Sequence, residues 1–143
     1  MQLKANTRAY IALAVRDLEE SLRFYTDVLG FERIKEVVVS DEKARKGGFS
    51  KNGFEFTTVA NGPFALKLVT TNAEAASTAG VVDDFLGIRY LGLEVEDFDG
   101  TIAALRENGV EFLSEPFGAE GGNNIPPLVF FRDPDGNLLE IAG

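Results

Sequence analysis

The sequence states one pattern twice. Tyr90-Leu-Gly-Leu-Glu-Val-Glu-Asp97 matches Tyr10-Ile-Ala-Leu-Ala-Val-Arg-Asp17, with Tyr, Leu, Val and Asp identical in register at an offset of 80 residues. Phe98, Thr101 and Ile102 then follow Leu18, Ser21 and Leu22 at the same offset. Past the helix, Gly109-Val110-Glu111 echoes Gly30-Phe31-Glu32 at an offset of 79, so the second helix is about one residue shorter. Near the end, Leu138-Leu139-Glu140-Ile141 echoes Ala65-Leu66-Lys67-Leu68. A repeat must be recognised before the fold is assigned, because each copy folds as its own supersecondary unit.

The first copy reads as strand, helix and three strands. Ala9 to Val15 alternates, with Ile11, Leu13 and Val15 on one face and Tyr10, Ala12 and Ala14 on the other. Asp17 is placed to cap a helix, and Glu20 completes a capping box. Leu18, Leu22, Tyr25 and Val28-Leu29 form its apolar stripe, and Gly30 ends it. Tyr25, at this spacing, belongs to the core. Phe31 to Val39 reads as a strand, and the polar, glycine-bearing stretch Ser40 to Gly53 reads as a mobile connection. Phe54 to Ala60 and Phe64 to Thr70 flank an Asn61-Gly62 hairpin turn.

The second copy begins at Tyr90, after a partly helical crossover. Pro116 to Pro127 reads as a flexible loop, and Leu128 to Arg132 as a short strand. Asp133-Pro-Asp-Gly-Asn137 is a tight turn, with Pro134 fixing the first corner and Gly136 taking a left-handed conformation. The last strand follows it. The fold class expected is therefore α+β, from two tandem βαβββ modules in a single domain, 1–143. Module one covers about 8–71, the crossover about 72–88 and module two about 89–143.

Composition removes several chemistries. The chain has no cysteine, which excludes disulfides, thiolate nucleophiles and zinc–thiolate sites. It has no histidine, the commonest metal ligand and the usual acid/base near neutral pH. A homodimer supplies none either. The net charge of −9 disfavours nucleic acid and would suit a cationic guest, though solubility accounts for it equally. No apolar stretch approaches transmembrane length, and the first eight residues lack a signal-peptide core. The expectation is a cytoplasmic protein with no membrane partner.

Two segments, IALAVRDLEESLRFYTDVLGFE and FFRDPDGNLLEI, resemble the vicinal-oxygen-chelate superfamily of glyoxalase I, extradiol dioxygenases and bleomycin-resistance proteins. The resemblance spans nearly the whole chain. It implies a curved mixed sheet around a cup, with helices on the convex side, formed within one chain or across a swapped homodimer. It also implies ligand positions. A His commonly starts the first strand of each module; Tyr10 and Tyr90 stand there. The last strand of the second module commonly supplies a Glu, and Glu140 keeps it, while Lys67 holds the matching place in the first module.

Strand alternation puts Tyr10, Ala12, Ala14, Ala65, Lys67, Tyr90, Gly92, Glu94, Glu140 and Ala142 on one set of faces. That mixture of small, apolar and few polar residues suits a pocket. Iron held by two histidines and a carboxylate is impossible here, tetrahedral zinc lacks nitrogen and sulfur ligands, and an ammonium at Lys67 repels a dication. No metal and no cofactor is therefore expected. If the four positions converge as in the family, Lys67 and Glu140 face one another as an ion pair, acting either as a polar plug or as ligand contacts. The expected ligand-binding set is Tyr10, Lys67, Tyr90, Glu140, Phe54, Phe56, Glu94 and Phe130.

Three functions stay open. The first is a metal-independent small-molecule-binding protein of the glyoxalase/bleomycin-resistance type, a homodimer sequestering an antibiotic-like or aromatic ligand. The second is a metal-free enzyme (lyase, isomerase or hydrolase) with Glu140 as catalytic acid or base. The third is a glyoxalase-like lyase or dioxygenase with an unusual metal site. The loops Ser40–Gly53 and Glu115–Pro126 are candidate lids.

Overall fold

A computed structural model describes residues 9–70, 86–118 and 126–143. Most of the crossover and the centre of the Pro116–Pro127 loop lie outside them. The chain forms two compact units, Met1–Ala76 and Ser77–Gly143.

Unit one is a four-stranded mixed sheet, β1 (Ala9–Val15), β2 (Glu32–Val39), β3 (Phe54–Asn61) and β4 (Phe64–Thr70), in the order β1-β4-β3-β2. β1 runs parallel to β4, which requires a crossover rather than a hairpin; the other pairs are antiparallel. The crossover begins with helix α1 (Leu18–Arg23). Its cap is the one the sequence spells out: the Glu20 N–H donates to the Asp17 carboxylate at 3.0 Å. The helix widens into a π-helical segment, Phe24–Val28, whose end is marked by the Leu29 N–H donating to the Phe24 carbonyl at 3.1 Å. Gly30 follows with φ 68°. Leu22 and Tyr25 are buried, and Tyr25 packs edge-on against Phe24 and Phe31. Leu66, Leu68 and Val59 are fully buried on the sheet face they share with Ile11 and Leu13.

Ser40–Gly53 is not the mobile connection the composition suggests. Its first half is a helix, α2 (Asp41–Gly47). Ser40 caps it by accepting from the Lys43 N–H at 3.4 Å. Asp41 and Glu42 occupy the first turn and Arg45 and Lys46 the last, complementing the helix dipole at both ends. Gly48, at φ 72°, closes it, and Ala44 is its buried anchor. The capping signals are short and were outweighed by the polarity of the segment.

Unit two repeats the plan with β5 (Tyr90–Glu94), α3 (Phe98–Glu107), β6 (Leu128–Arg132) and β7 (Leu138–Ala142), in the order β5-β7-β6. β5 is parallel to β7, and β6 antiparallel to it. Asp97 caps α3 as Asp17 caps α1, accepting from the Gly100 N–H at 2.9 Å. The strand expected after this helix is reduced to two isolated bridges, Phe112 with Phe131 and Phe117 with Leu128. Pro116 falls between them and has no N–H to donate, so a continuous ladder cannot form there. Phe117 and Leu128 exchange both backbone hydrogen bonds, so the start of the expected lid is tied to β6. Among the described residues no helix is long and apolar enough to cross a membrane.

Candidate functional site

In unit one the expected residues gather on one sheet face. β1 and β4 are in register with Tyr10 beside Ala65 and Ala12 beside Lys67. β3 places Thr58 beside Lys67 and Phe56 beside Val69. Paired residues point to the same side, so this face carries Tyr10, Lys67 and Phe56 above Ala12, Ala60 and Ala65. The Lys67 Nζ lies 5.0 Å from the centre of the Tyr10 ring and 5.2 Å from that of Phe56. Both are within the range of cation–π attraction. Lys67 is half-buried and Tyr10 is 59% exposed. Within unit one, no described carboxylate lies within 4.0 Å of the ammonium.

Phe56 continues into a row of rings. Phe54 is 6.3 Å from Phe56, and Phe49 is 5.6 Å from Phe54. Phe49 was not anticipated, because it lies in the segment read as a loop. It follows the glycine that closes α2, and that placement brings its ring back to β3.

Unit two repeats the geometry with opposite charge. Gly92 pairs with Glu140, as Ala12 pairs with Lys67. The glycine has a reason: Glu140 Oε1 lies 3.2 Å from the point where a side chain on Gly92 would begin. Phe130 faces Glu140 across the ladder, and the Tyr90 ring meets it edge-on at 5.5 Å. Phe117, also unanticipated, stacks on Phe130 at 6.4 Å. Glu94 is exposed at the end of β5, on the face of Tyr90 and Gly92. Within unit two no described residue hydrogen-bonds or ion-pairs with the Glu140 carboxylate.

Within neither unit do the described residues gather a donor set for a divalent cation. Among the described residues no three acidic side chains gather as a ligand group. At the strand position matching Glu140, unit one offers an ammonium, and Tyr10 presents its ring to that ammonium. A dication needs several hard oxygens or softer nitrogen ligands; the matching strand position supplies one carboxylate in unit two and none in unit one.

A groove of about 230 Å³ lies in unit one between α1 and strands β2 and β3, with Phe56 among its lining residues. Leu18, Leu22 and Val38 line it, with Glu19, Glu36 and Glu55 among its walls. Arg33 reaches Glu19 at 3.9 Å and Glu36 at 3.8 Å. The sequence reading missed this groove, since it depends on how the helix sits on the sheet.

A family model described as the Glyoxalase/Bleomycin resistance protein/Dioxygenase superfamily matches residues 7–141. The uncharacterized protein YaeR of Escherichia coli is 28% identical over 135 residues, covering 92% of both chains. A probable lactoylglutathione lyase of Synechocystis is 27% identical over 129 residues, covering 90% of this chain and 88% of the other. Longer plant relatives also match; the chain spans 34% of a probable chloroplastic lactoylglutathione lyase from Arabidopsis thaliana. The crystal structure of a glyoxalase family protein from Enterococcus faecalis aligns over 100% of both chains, with a TM-score of 0.73 and 23% identity.

Proposed function

We propose that the chain, which belongs to the Glyoxalase/Bleomycin resistance protein/Dioxygenase superfamily, binds an aromatic or antibiotic-like small molecule without a metal ion. The observation that carries this reading is Lys67. Its ammonium stands over the Tyr10 and Phe56 rings at a strand position the family can use for a ligand to metal. A fixed cation there supplies positive charge but no Lewis-acid site. Rings that stand beside small residues offer flat apolar area to a guest. The proposal includes a cytoplasmic homodimer.

Thermal unfolding in the presence of candidate ligands tests it. A ligand at a hundred times its dissociation constant adds about 2.7 kcal/mol, which moves the melting temperature by several degrees. The expected result is such a shift with one or more aromatic compounds, and none with zinc, nickel, manganese or magnesium ions. Stabilisation by a divalent ion, abolished by Glu140→Gln, would sink the reading.

A second reading has its own observation. Glu140 is half-buried, faces Phe130 and lies over Gly92, with no hydrogen-bond partner among the described residues of its unit. A carboxylate so placed is available as a general acid or base. If the protein turns over a substrate, Glu140→Gln lowers kcat by about 10²–10⁴-fold and leaves the melting temperature within a few degrees. Turnover unaffected by that change would end this reading.

A further inference from the structure

The Lys67 face of unit one carries a feature that specifies the ligand's charge. Lys67 is half-buried, and among the described residues of its unit it has ring contacts and no carboxylate partner. Ring faces attract an ammonium through their quadrupoles, but they carry no net charge and leave its positive charge uncompensated. An anion brought to the ammonium gains charge-assisted hydrogen bonds, which are about twice as strong as neutral ones. Partial burial strengthens them further, because the effective dielectric falls below that of water.

The surroundings suit a flat anion. Ala12, Ala60 and Ala65 keep the floor low around the lysine, while Tyr10 and Phe56 stand at either side. The row of rings runs on from Phe56 through Phe54 to Phe49. A planar ring bearing a carboxylate can lay its plane along these rings and its charge on Nζ. Among the described residues of unit one, two other charged groups stand on the strands of this face: Lys35, beside Thr58, and Glu32, beside Ala60, both exposed on the edge strand β2. The groove beside α1 does not suit an anion, because Glu19, Glu36 and Glu55 line it. We propose that the Lys67 face of unit one binds a planar aromatic carboxylate, with Lys67 taking the carboxylate and Tyr10 and Phe56 flanking the ring. This rests on the small-molecule-binding reading and adds the sign of the ligand's charge, against the −9 of the chain as a whole.

Titration calorimetry on the full chain with three probes of one shape tests it: 2-naphthoate, 2-naphthalenemethanol and 2-naphthylmethylamine. The naphthoate is expected to bind at least about tenfold more tightly than the alcohol, as a hydrogen bond to a charged group implies, and the amine more weakly than either. Lys67→Met erases the difference between naphthoate and alcohol. Lys67→Arg keeps the difference. Should Lys67→Met fail to fold, the wild-type ratio of naphthoate to alcohol affinity is measured against salt, and must fall as salt rises. Equal binding of all three probes, a preference that survives Lys67→Met in the folded variant, or a salt-independent ratio overturns the charge assignment alone. If none of the three binds, the binding reading falls with it.

Discussion

Phe131→Ala removes about 3–5 kcal/mol of folding free energy, read as a lower urea midpoint with an unchanged slope. Phe131 is fully buried on β6. It pairs with Leu139 of β7 on one side, forms an isolated bridge with Phe112 on the other, and meets the Phe112 ring edge-on at 5.8 Å. It thus joins the three-stranded sheet to the segment that replaces its fourth strand. Truncation leaves a cavity that a short sheet has few side chains to fill. Since whole domains are stable by only about 5–15 kcal/mol, one such cavity takes a large share. Phe131→Leu leaves a smaller cavity and is expected to cost less than the alanine variant. A loss below about 1 kcal/mol for the alanine variant would show that this contact is not what closes unit two.

The second large effect is expected at Asp133. Its side chain is buried in the turn between β6 and β7, and three donors converge on it. One carboxylate oxygen accepts from the N–H of Asp135 at 3.0 Å and of Asn137 at 2.8 Å; the other accepts from the Asn137 side-chain amide at 2.8 Å. Gly136, at φ 86°, supplies the left-handed corner, and its carbonyl accepts from Arg132 at 2.7 Å. Asp133→Ala leaves those donors without their acceptor, at a cost of about 3 kcal/mol. Asp133→Asn, which keeps one acceptor oxygen, falls between wild type and alanine. The turn also sets the register of β7. A slip of one residue would turn Glu140 from the Phe130 face to the opposite one. Hydrogen exchange across 138–142 is therefore expected to accelerate in the alanine variant. Unchanged protection there, with wild-type stability, would refute a register-setting role.

Much of the fold is legible because the repeat is written in residues with local consequences. Asp17 and Asp97 cap helices within their own turns. Alternation along β1 and β4 places Leu66 and Leu68 inside and Tyr10 and Lys67 on the other face, as strand geometry demands. The Asp133–Asn137 turn needs only its own five residues. Helix α2 was missed because its capping signals are brief and its composition is polar. The strand expected after α3 is reduced to two bridges, because the echo of Gly30-Phe31-Glu32 stops short of Pro116, which interrupts the ladder.

The sequence by itself determined that one pattern is written twice, which strand positions share a face, and that those positions hold Tyr10, Lys67, Tyr90 and Glu140. Periodicity and capping suffice for this, since both act over a few residues. The tertiary structure decided what each group touches. Within unit one, Lys67 lies between two rings, and within unit two, Glu140 lies over a glycine that leaves it room. Phe49 meets the rings of unit one and Phe117 those of unit two, each through the path of a connecting segment. Side-chain contacts arise between residues distant in sequence, so the duplicated pattern specifies positions, and packing specifies their chemistry.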